Sequence, residues 1–575
     1  MNMKSPTYIL GLNCNIHQSS AVLIKDGILI AAAEEERFTR KKFDNGFPDN
    51  AINYCLREAE ITLTEVQYAG FYWQPWKGLV KRIWWLIRYF PASLETFRGG
   101  KKGRGSVETF FQHLAIPYQL RKRGFKGAFY YVDHHLAHAA SAFFVSPYDH
   151  AAIFTTDFCG EHCTTLLGVG VGNTITVRKR FFLPHSLGLY YGALTQYLGY
   201  KINADEYRVM GLAPYGKPKY TDTFASMIKF NDGELVFDNS WSAFHFGGER
   251  VFSEKWVECF GPPCINEDAV EHGEYKHYAA SGQKVLDDIF VAIGTWLQSQ
   301  TKEHNVCLAG GVALNSVANG KLKMANIFEN VWVQPASYDP GCALGACFYI
   351  WHQKLGHPRS FVMEHAYWGP AYTEDEMRLA AENHGLVCEY VDDIEKKTAA
   401  LLADGEIIGW YQGRMEWGPR ALGNRSILAD PRCADIKDVV NRKIKFREPY
   451  RPFAPSVLEE DAHLYFEIEG PSPYMIFVCK VREIARSLIP AVTHVDGSSR
   501  IQTVSKKTNQ RYWNLLNEFK KLTDIGVLLN TSFNVKGEPI VCTPEEAVCC
   551  FLKTDMDHIV MGKFLCSRPS DLHNV

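Results

Sequence analysis

The sequence predicts an α/β protein of two domains, the first of which contains an internal duplication. Two strand–loop–strand patterns lie about 140 residues apart in the first half of the chain. Later in that half, a buried strand runs into a double glycine and then into a helical pattern. After about Phe361 the composition shifts towards basic loops. We therefore place the two domains at residues 1–360 and 361–575.

Length and composition indicate a globular protein. The chain has 575 residues, of which 46% are hydrophobic and 22% charged, and its formal net charge is −2. That balance gives no general attraction for nucleic acid or for an acidic membrane surface. The most apolar neighbourhood, Leu79–Phe90, is short and contains three basic residues, and no basic stretch followed by an apolar core occurs at the N-terminus. We expect a cytoplasmic protein with neither a nucleic-acid nor a membrane partner.

The 16 cysteines include no CxxC pair. In a chain of this size without a secretory signal, free buried thiols in a reducing compartment are the expected state. A cysteine-based metal site is not expected.

The first strand–loop–strand unit comprises strands at Tyr8–Leu12, Ala21–Ile24 and Ile28–Ala33, with the loop from Asn13 to Ser20 containing His17. Such a loop presents backbone N–H groups to a phosphate or a similar anion. The charge run that follows, residues 34–42, is most often a solvated surface. Its position at the end of a strand makes a site loop the alternative.

The second unit repeats this plan, with strands at Ala151–Thr156 and Thr165–Val171 and a loop that starts at Asp157. Superposing the two units places Asn13 opposite Asp157. A duplicated domain of this kind, as in the actin and sugar-kinase superfamily, closes on a nucleotide or phosphate between its halves. The double glycine at 310–311 fits that role, because glycine lets the backbone approach a ligand and the following helix N-terminus favours an anion.

Two histidines follow a short strand at Phe129–Val132 and begin an alanine-rich helix. His134 and His138 are four residues apart, so they share a helix face and can direct two imidazoles at one transition metal. The alternative is a helix start with solvated or core histidines. Asp339 offers a carboxylate at the start of another helix, one rich in small residues.

The second domain contains a basic segment. Between Arg414 and Arg451 there are ten Lys/Arg residues and five Asp/Glu residues, interleaved with glycine, proline and aromatic residues. Guanidinium groups in ordered loops suit phosphate and carboxylate recognition, and nucleic acid is the alternative ligand. Downstream, the strand at 528–534 ends in small polar residues, a common ligand position in α/β sheets.

Nine motifs together resemble one family nearly from end to end, the O-carbamoyltransferases of secondary metabolism, which modify Nod factors, aminoglycosides, cephamycins and ansamycins. The motifs are NxxxHQSSA at 13–21, EEERFTRKKF at 34–43, DHHLAHAASAFF at 133–144, MGLAPYG at 210–216, GGVALN at 310–315, YDPGCALGA at 338–346, GRMEWGPRALGNRSILADPR at 413–432, KFREPYRPFAPSV at 445–457 and LLNTSFNVKGEPIV at 528–541. The resemblance implies a duplicated actin-like (ASKHA) domain, similar to tRNA threonylcarbamoyl transferases, and a C-terminal YrdC-like α/β domain.

The resemblance also implies a reaction in two steps. Carbamoyl phosphate and ATP, with magnesium, would give carbamoyl-adenylate, and the carbamoyl group would then pass to a hydroxyl of a small-molecule natural product. The metal ligands would be His134, His138, Asp157 and Asp339. The family metal is iron(II), with zinc and manganese as alternatives. His17 matches the general base that deprotonates the hydroxyl.

The remaining implied site residues hold the nucleotide, the phosphates and the carbamoyl group. Gly310, Gly311 and Asn315 would hold the nucleotide. The phosphates would be bound by Arg420, Lys443, Arg451 and Arg500, with Lys445 an equally good candidate by spacing. The carbamoyl end would be held by Asn530 and Ser532.

One departure from the family and two rival functions accompany these expectations. The Tyr207–Arg208 pair stands where many members carry lysine, so its role is open. The aromatic stretches 72–120 and 217–275 are expected to line the acceptor pocket. The rival functions are a tRNA threonylcarbamoyl-type modifying enzyme and an actin-like small-molecule kinase.

Overall fold

The structure, a computed structural model, describes residues 5–94, 106–245, 249–265 and 273–569. It divides into two compact units, one of residues 1–35 and 43–363 and the other of residues 36–42 and 364–575. The division therefore falls three residues after the predicted boundary and assigns residues 36–42 to the second unit. The expected acceptor stretches lie outside the described residues at 95–105, 246–248 and 266–272.

The first unit contains two five-stranded sheets and a hairpin. In chain order its strands are β1 (Tyr8–Asn13), β2 (Ser20–Lys25), β3 (Ile28–Glu34), β4 (Tyr68–Phe71), β5 (Ala128–Tyr131), β6 (His150–Gly160), β7 (Cys163–Val171), β8 (Thr174–Phe182), β9 (Ile228–Asn231), β10 (Glu234–Phe237), β11 (Asn305–Ala309) and β12 (Asn330–Val333). One sheet has the order β3-β2-β1-β4-β5 and the other the order β8-β7-β6-β11-β12.

The two sheets also share their strand directions. In the first sheet, β1 runs antiparallel to β2 and parallel to β4, and in the second, β6 runs antiparallel to β7 and parallel to β11. The inner strands β1, β2, β7 and β11 are buried almost throughout, as expected where both faces of a sheet are covered, whereas the edge strands β5 and β8 are partly exposed. The prediction of an α/β fold is confirmed, and the two sheets share one strand order.

The α-helices of the first unit surround these sheets. They are Asp49–Glu58, Leu79–Arg88, Ser106–Lys122, His134–Phe143, Leu187–Tyr197, Glu206–Leu212, Thr221–Met227, Glu254–Phe260, Tyr275–Thr301, Ser316–Met324 and Asp339–Tyr349. Among the described residues, no helix combines the length and hydropathy needed to cross a bilayer.

Two of these helices, His134–Phe143 and Asp339–Tyr349, pack directly against each other. A Cβ atom added at Gly345 would lie 1.7 Å from the carbonyl oxygen of Ala137, far inside van der Waals contact. Glycine is therefore required at position 345 for the two backbones to approach this closely. The contact fixes the distance between the helix that carries the histidine pair and the helix that begins at Asp339.

The second unit is built on an eight-stranded sheet of order β13-β22-β21-β14-β15-β20-β16-β19, with a separate ribbon of β17 and β18. Its strands are β13 (Val387–Tyr390), β14 (Ile408–Tyr411), β15 (Arg425–Ala429), β16 (Ala454–Leu458), β17 (Val478–Lys480), β18 (Ser498–Arg500), β19 (Gln502–Val504), β20 (Val527–Ser532), β21 (His558–Met561) and β22 (Phe564–Ser567). Its α-helices are Glu36–Thr39, Glu374–Asn383, Ile394–Ala403, Ile436–Val439, Ala462–Tyr465, Glu483–Arg486, Gln510–Thr523 and Pro544–Leu552.

The eight-stranded sheet is covered on both faces by apolar clusters. Ile427 and Leu529 belong to one cluster, and their chain neighbours Leu428 and Leu528 belong to the other. This division follows from the alternation of side chains along a strand.

Two expectations from the sequence are corrected. The first half of the charge run at 34–42 is not a solvated surface, because Glu35, Glu36 and Arg37 are only 3–5% exposed, whereas Thr39 and Lys41 in its second half are exposed. Glu35 accepts hydrogen bonds from the start of the helix Asp49–Glu58, and Arg37 donates to the carbonyl of Gly418 at 3.1 Å. The thiols are not all free either, because strands β13 and β22 pair Cys388 with Cys566 as a disulfide.

A buried carboxyl group in the helix Tyr275–Thr301 predicts a pH-dependent stability. Asp287 accepts a hydrogen bond from Gln283 Nε2 at 2.7 Å, yet burial raises its pKa to about 7. Because an unfolded aspartate titrates near pH 3.9, the fold holds a proton that the unfolded chain releases, and stability falls as pH rises from about 4 to 7. We expect Asp287→Asn to abolish this loss of stability. The loss amounts to up to a few kcal/mol, because each unit of pKa shift is worth about 1.4 kcal/mol.

Urea unfolding at pH 4.5 and pH 7.5 measures this effect. Asp288→Asn is the matched control, because Asp288 is exposed and pairs with Lys284. Parallel pH profiles for the original chain and Asp287→Asn would contradict the assignment.

Candidate metal centre and anion-binding cluster

Four side chains converge in the first unit, two imidazoles and two carboxylates. His134 and His138 project from one face of their helix, whose first turn is capped by the carboxylate of Asp133, which accepts from the backbone N–H of Leu136 at 2.9 Å. Asp157 lies in strand β6, and Asp339 is the first residue of its helix. The sequence singled out each of these positions separately, and the structure brings their ligand atoms within 4.8 Å of one another.

The distances show how tightly the four groups are packed. Asp157 Oδ2 lies 3.3 Å from His134 Nε2 and 3.1 Å from His138 Nε2, and Asp339 Oδ1 lies 3.8 Å from both nitrogens. The Nε2 atoms therefore point at the carboxylates. Within the described part of the chain, the Nδ1 atoms of both rings are buried without a hydrogen-bond partner.

The electrostatics of the centre favour a bound cation. The hydrogen bonds from His134 and His138 outweigh burial and hold the pKa of Asp157 well below its usual range. Burial raises the pKa of Asp339 to about 7, and the negative charge of Asp157 adds to this effect. Two carboxylates so close cannot both ionise easily without a positive charge between them. Two imidazoles and two carboxylates form a donor set that divalent transition metals accept.

A third type of donor also reaches the centre. Cys342 Sγ lies within 4.8 Å of ring nitrogens of both histidines, although no cysteine was expected at a metal site. Burial raises the pKa of the Cys342 thiol well above its usual value, and the Asp339 carboxylate adds to this rise. The neutral thiol is therefore a weaker donor than either carboxylate.

His17 lies in the loop between β1 and β2. Burial lowers the pKa of its imidazole, and the charge of Asp157 opposes that effect. The contribution of Asp157 is the observation that links His17 to the metal centre.

The glycine turn lies beside the same centre. Gly310 has a φ of 96°, and a Cβ atom there would lie 2.1 Å from the carbonyl oxygen of Thr156. A Cβ atom at Gly311 would lie 2.9 Å from Asp157 Oδ1. The predicted nucleotide turn and the predicted metal ligand Asp157 are therefore immediate neighbours.

Asn315 is held by contacts that the sequence did not reveal. Its Oδ1 caps the helix Ser316–Met324 at Ala318 N, and its amide forms a reciprocal pair with Gln283, with both distances 3.1 Å. Gln283 in turn accepts a hydrogen bond from the Tyr191 hydroxyl at 2.6 Å. The partner of Asn315 lies 32 residues away on another helix, so no local pattern indicated it.

Tyr207 and Arg208, whose role the sequence left open, lie in a short helix, Glu206–Leu212. Arg208 is buried, its guanidinium lies 4.3 Å from the centre of the Tyr200 ring, and it pairs with Asp205 at 3.8 Å. Arg208 therefore contributes to the packing around this helix.

The second unit contains a cluster of guanidinium groups. Burial lowers the pKa of Arg500 well below its usual value, and the positive charges of Arg420, Arg447 and Arg451 lower it further. Arg451 pairs with Glu448 at 3.7 Å, and Arg447 donates to Asn441 Oδ1 at 2.7 Å. Like charges held together in this way leave an excess of positive charge that an anion would neutralise.

The two lysine candidates occupy different environments. Lys443 is exposed. Lys445 is buried, and its ammonium donates to the carbonyl oxygens of Ser532 and Asn534 and to Asn534 Oδ1, each at 2.7 Å. Lys445 therefore holds the turn at the end of β20, and spacing alone did not distinguish it from Lys443.

The loop that carries Arg420 is fixed by a residue that the sequence did not single out. The buried carboxylate of Glu416 accepts hydrogen bonds from the backbone N–H groups of Leu422, Asn424 and Arg425, at 2.7, 2.9 and 3.1 Å. Near this loop, Asn530 Nδ2 donates to Ser456 Oγ at 2.9 Å and to Gln502 Oε1 at 3.0 Å. Ser532 is half-buried and donates to Asn534 Oδ1 at 2.7 Å.

Comparison with known proteins places the chain in a family. Residues 8–348 match the model described as carbamoyltransferase N-terminus, and residues 399–568 match the model described as carbamoyltransferase C-terminus. An uncharacterised protein of Synechocystis sp. is 42% identical over 98% of this chain and 97% of its own length. Nodulation protein NolNO of Sinorhizobium fredii is 39% identical over 97% of this chain and 80% of its own length.

The similarity to solved structures is weaker. HypF of T. kodakarensis aligns over 62% of this chain and 49% of its own, with 15% identity and a TM-score of 0.30, which supports no argument about this chain. The two matched models cover both compact units, and both relatives align over almost the whole chain. The chain therefore belongs to the carbamoyltransferase family.

Proposed function

We propose that the protein is an O-carbamoyltransferase that forms carbamoyl-adenylate in its second unit and transfers the carbamoyl group to a hydroxyl of a small-molecule natural product in its first unit. The observation that carries this proposal is the convergence of His134, His138, Asp157 and Asp339 in a member of the carbamoyltransferase family. The repeated strand order supports an actin-like first unit. The guanidinium cluster supports a YrdC-like second unit that activates the donor.

The activation step uses the positive charge of the second unit. Carbamoyl phosphate and water would give carbamate and phosphate, after which a carbamate oxygen attacks the α-phosphorus of ATP and diphosphate leaves. The phosphate groups would be bound by Arg420, Lys443, Arg451 and Arg500, with Arg447 as a further cation near Arg500, and these residues would stabilise the charge that moves between the phosphates. Magnesium would accompany ATP. Asn530 and Ser532 would bind the carbamoyl group of carbamoyl phosphate.

The transfer step uses the first unit. His134, His138, Asp157 and Asp339 would hold a divalent metal, iron(II) by the family resemblance, with zinc and manganese compatible with the same donors. A metal there supplies Lewis-acid polarisation of the donor and neutralises its phosphate. His17 would take the proton of the attacking hydroxyl as the new C–O bond forms, and AMP leaves with the electrons of the broken bond. Gly310, Gly311 and Asn315 would lie against the nucleotide.

A product analysis tests the proposal. We expect ATP to be converted to AMP and diphosphate only when carbamoyl phosphate is present, and a panel of alcohols to include one that gains a carbamoyl mass. Release of ADP would favour an actin-like kinase instead. Saturable tRNA binding with a steep salt dependence would favour a threonylcarbamoyl-type enzyme.

A further inference from the structure

Tyr72 is a fully buried residue directly after strand β4, and its hydroxyl has no hydrogen-bond partner in the part of the chain that the structure describes. Leaving a buried hydroxyl unpaired costs free energy. Two other buried tyrosines of this unit avoid that cost. Tyr190 donates to the carbonyl of Gly282 at 3.1 Å and Tyr191 to Gln283 Oε1 at 2.6 Å. A hydrogen bond to a bound ligand would therefore offset the cost of burying the Tyr72 hydroxyl.

The neighbours of Tyr72 place its side chain beside the metal centre. The centre of its ring lies 5.4 Å from the centre of the His134 ring, and the next residue, Trp73, lies 5.2 Å from the same imidazole. Like other tyrosine hydroxyls, whose usual pKa is about 10, the Tyr72 hydroxyl is protonated near pH 7 and can donate a hydrogen bond.

A protonated donor beside the centre fits one chemical role in the proposed transfer. When the alcohol oxygen adds to the carbamoyl carbon, the carbonyl oxygen gains negative charge, and a donor already in place stabilises it. Within the described residues, the Tyr72 hydroxyl makes no protein hydrogen bond that would have to break first. We propose that Tyr72 donates a hydrogen bond to the carbonyl oxygen of the carbamoyl donor held at the metal centre. This inference rests on the proposed function.

The test compares Tyr72→Phe with Tyr190→Phe in the full chain. For Tyr72→Phe we expect carbamoyl transfer at saturating ATP and carbamoyl phosphate to slow about 10²-fold. Metal content and diphosphate release should not change, and the unfolding temperature without metal should be unchanged or higher, because no protein hydrogen bond is lost. Tyr190→Phe should do the opposite, lowering the unfolding temperature and leaving transfer intact.

Three results would overturn the inference. Transfer by Tyr72→Phe at the original rate would show that the hydroxyl takes no part in the reaction. A lowered unfolding temperature with lowered metal content would assign it a structural role. If the unaltered protein carbamoylates no alcohol, the proposed function fails and this inference fails with it, whereas the first two results leave the proposed function standing.

Discussion

Replacing His134 by alanine is expected to abolish metal binding and carbamoyl transfer while leaving the formation of carbamoyl-adenylate and diphosphate intact. His134 Nε2 lies 3.3 Å from Asp157 and 3.8 Å from Asp339, so its loss removes one of four converging donors. A metal supplies several kcal/mol to a charged transition state, which corresponds to at least about 10³-fold in rate. Elemental analysis, a transfer assay and a diphosphate assay on the same preparation measure the three quantities.

The matched control for this change is His304→Ala. His304 is exposed and pairs with Glu329 at 2.7 Å, so its removal should alter none of the three quantities. Loss of diphosphate release in a folded His134→Ala protein would show that the two chemical steps share one site. The proposed separation of activation from transfer would then be wrong.

Replacing Arg500 by glutamine is expected to remove activation and, at the same time, to stabilise the fold. Arg500 stands among three other guanidinium groups, and its Nε atom is buried without a hydrogen-bond partner within the described ranges. Removing one preorganised cation should lower the rate of diphosphate release about 10²- to 10³-fold. Removing one of several repelling charges should raise the unfolding temperature of the ligand-free protein.

The combination of both effects distinguishes a binding cluster from a structural one. Arg378→Gln is the control with the same change of charge, because Arg378 is half-buried and pairs within its own helix with Glu382 at 2.8 Å. It should change neither activation nor stability by much. If Arg500→Gln were inactive and also less stable, Arg500 would have a structural role. The proposal that the cluster binds an anion would then be wrong.

Local sequence patterns singled out the four residues that the structure brings together. His134 and His138 are four residues apart, so helix geometry places them on one face. Asp157 was singled out because it begins the loop of the second strand–loop–strand unit. Asp339 precedes a helix rich in small residues, and Gly345 within that helix permits the close contact with Ala137. The family resemblance then supplied the roles of these residues, which local pattern alone could not.

Residues whose partners lie far along the chain could not be predicted. Gln283 pairs with Asn315, and Glu416 binds backbone groups of a loop whose path no periodicity describes. The Cys388–Cys566 disulfide joins positions 178 residues apart, and only the register of β13 against β22 brings them together. The charge run was misjudged for the same reason, since its burial depends on tertiary contacts.

Residues 36–42 also limit how the protein can be dissected. They follow the third strand of the first unit in sequence, yet Arg40 donates to the carbonyls of Pro539 and Ile540, at 2.8 and 2.7 Å, within the second unit. A fragment that starts at residue 364 would lack this heptapeptide and expose the surface that it covers. A chimaera that exchanges C-terminal halves between relatives should therefore take residues 36–42 and the second unit from the same protein.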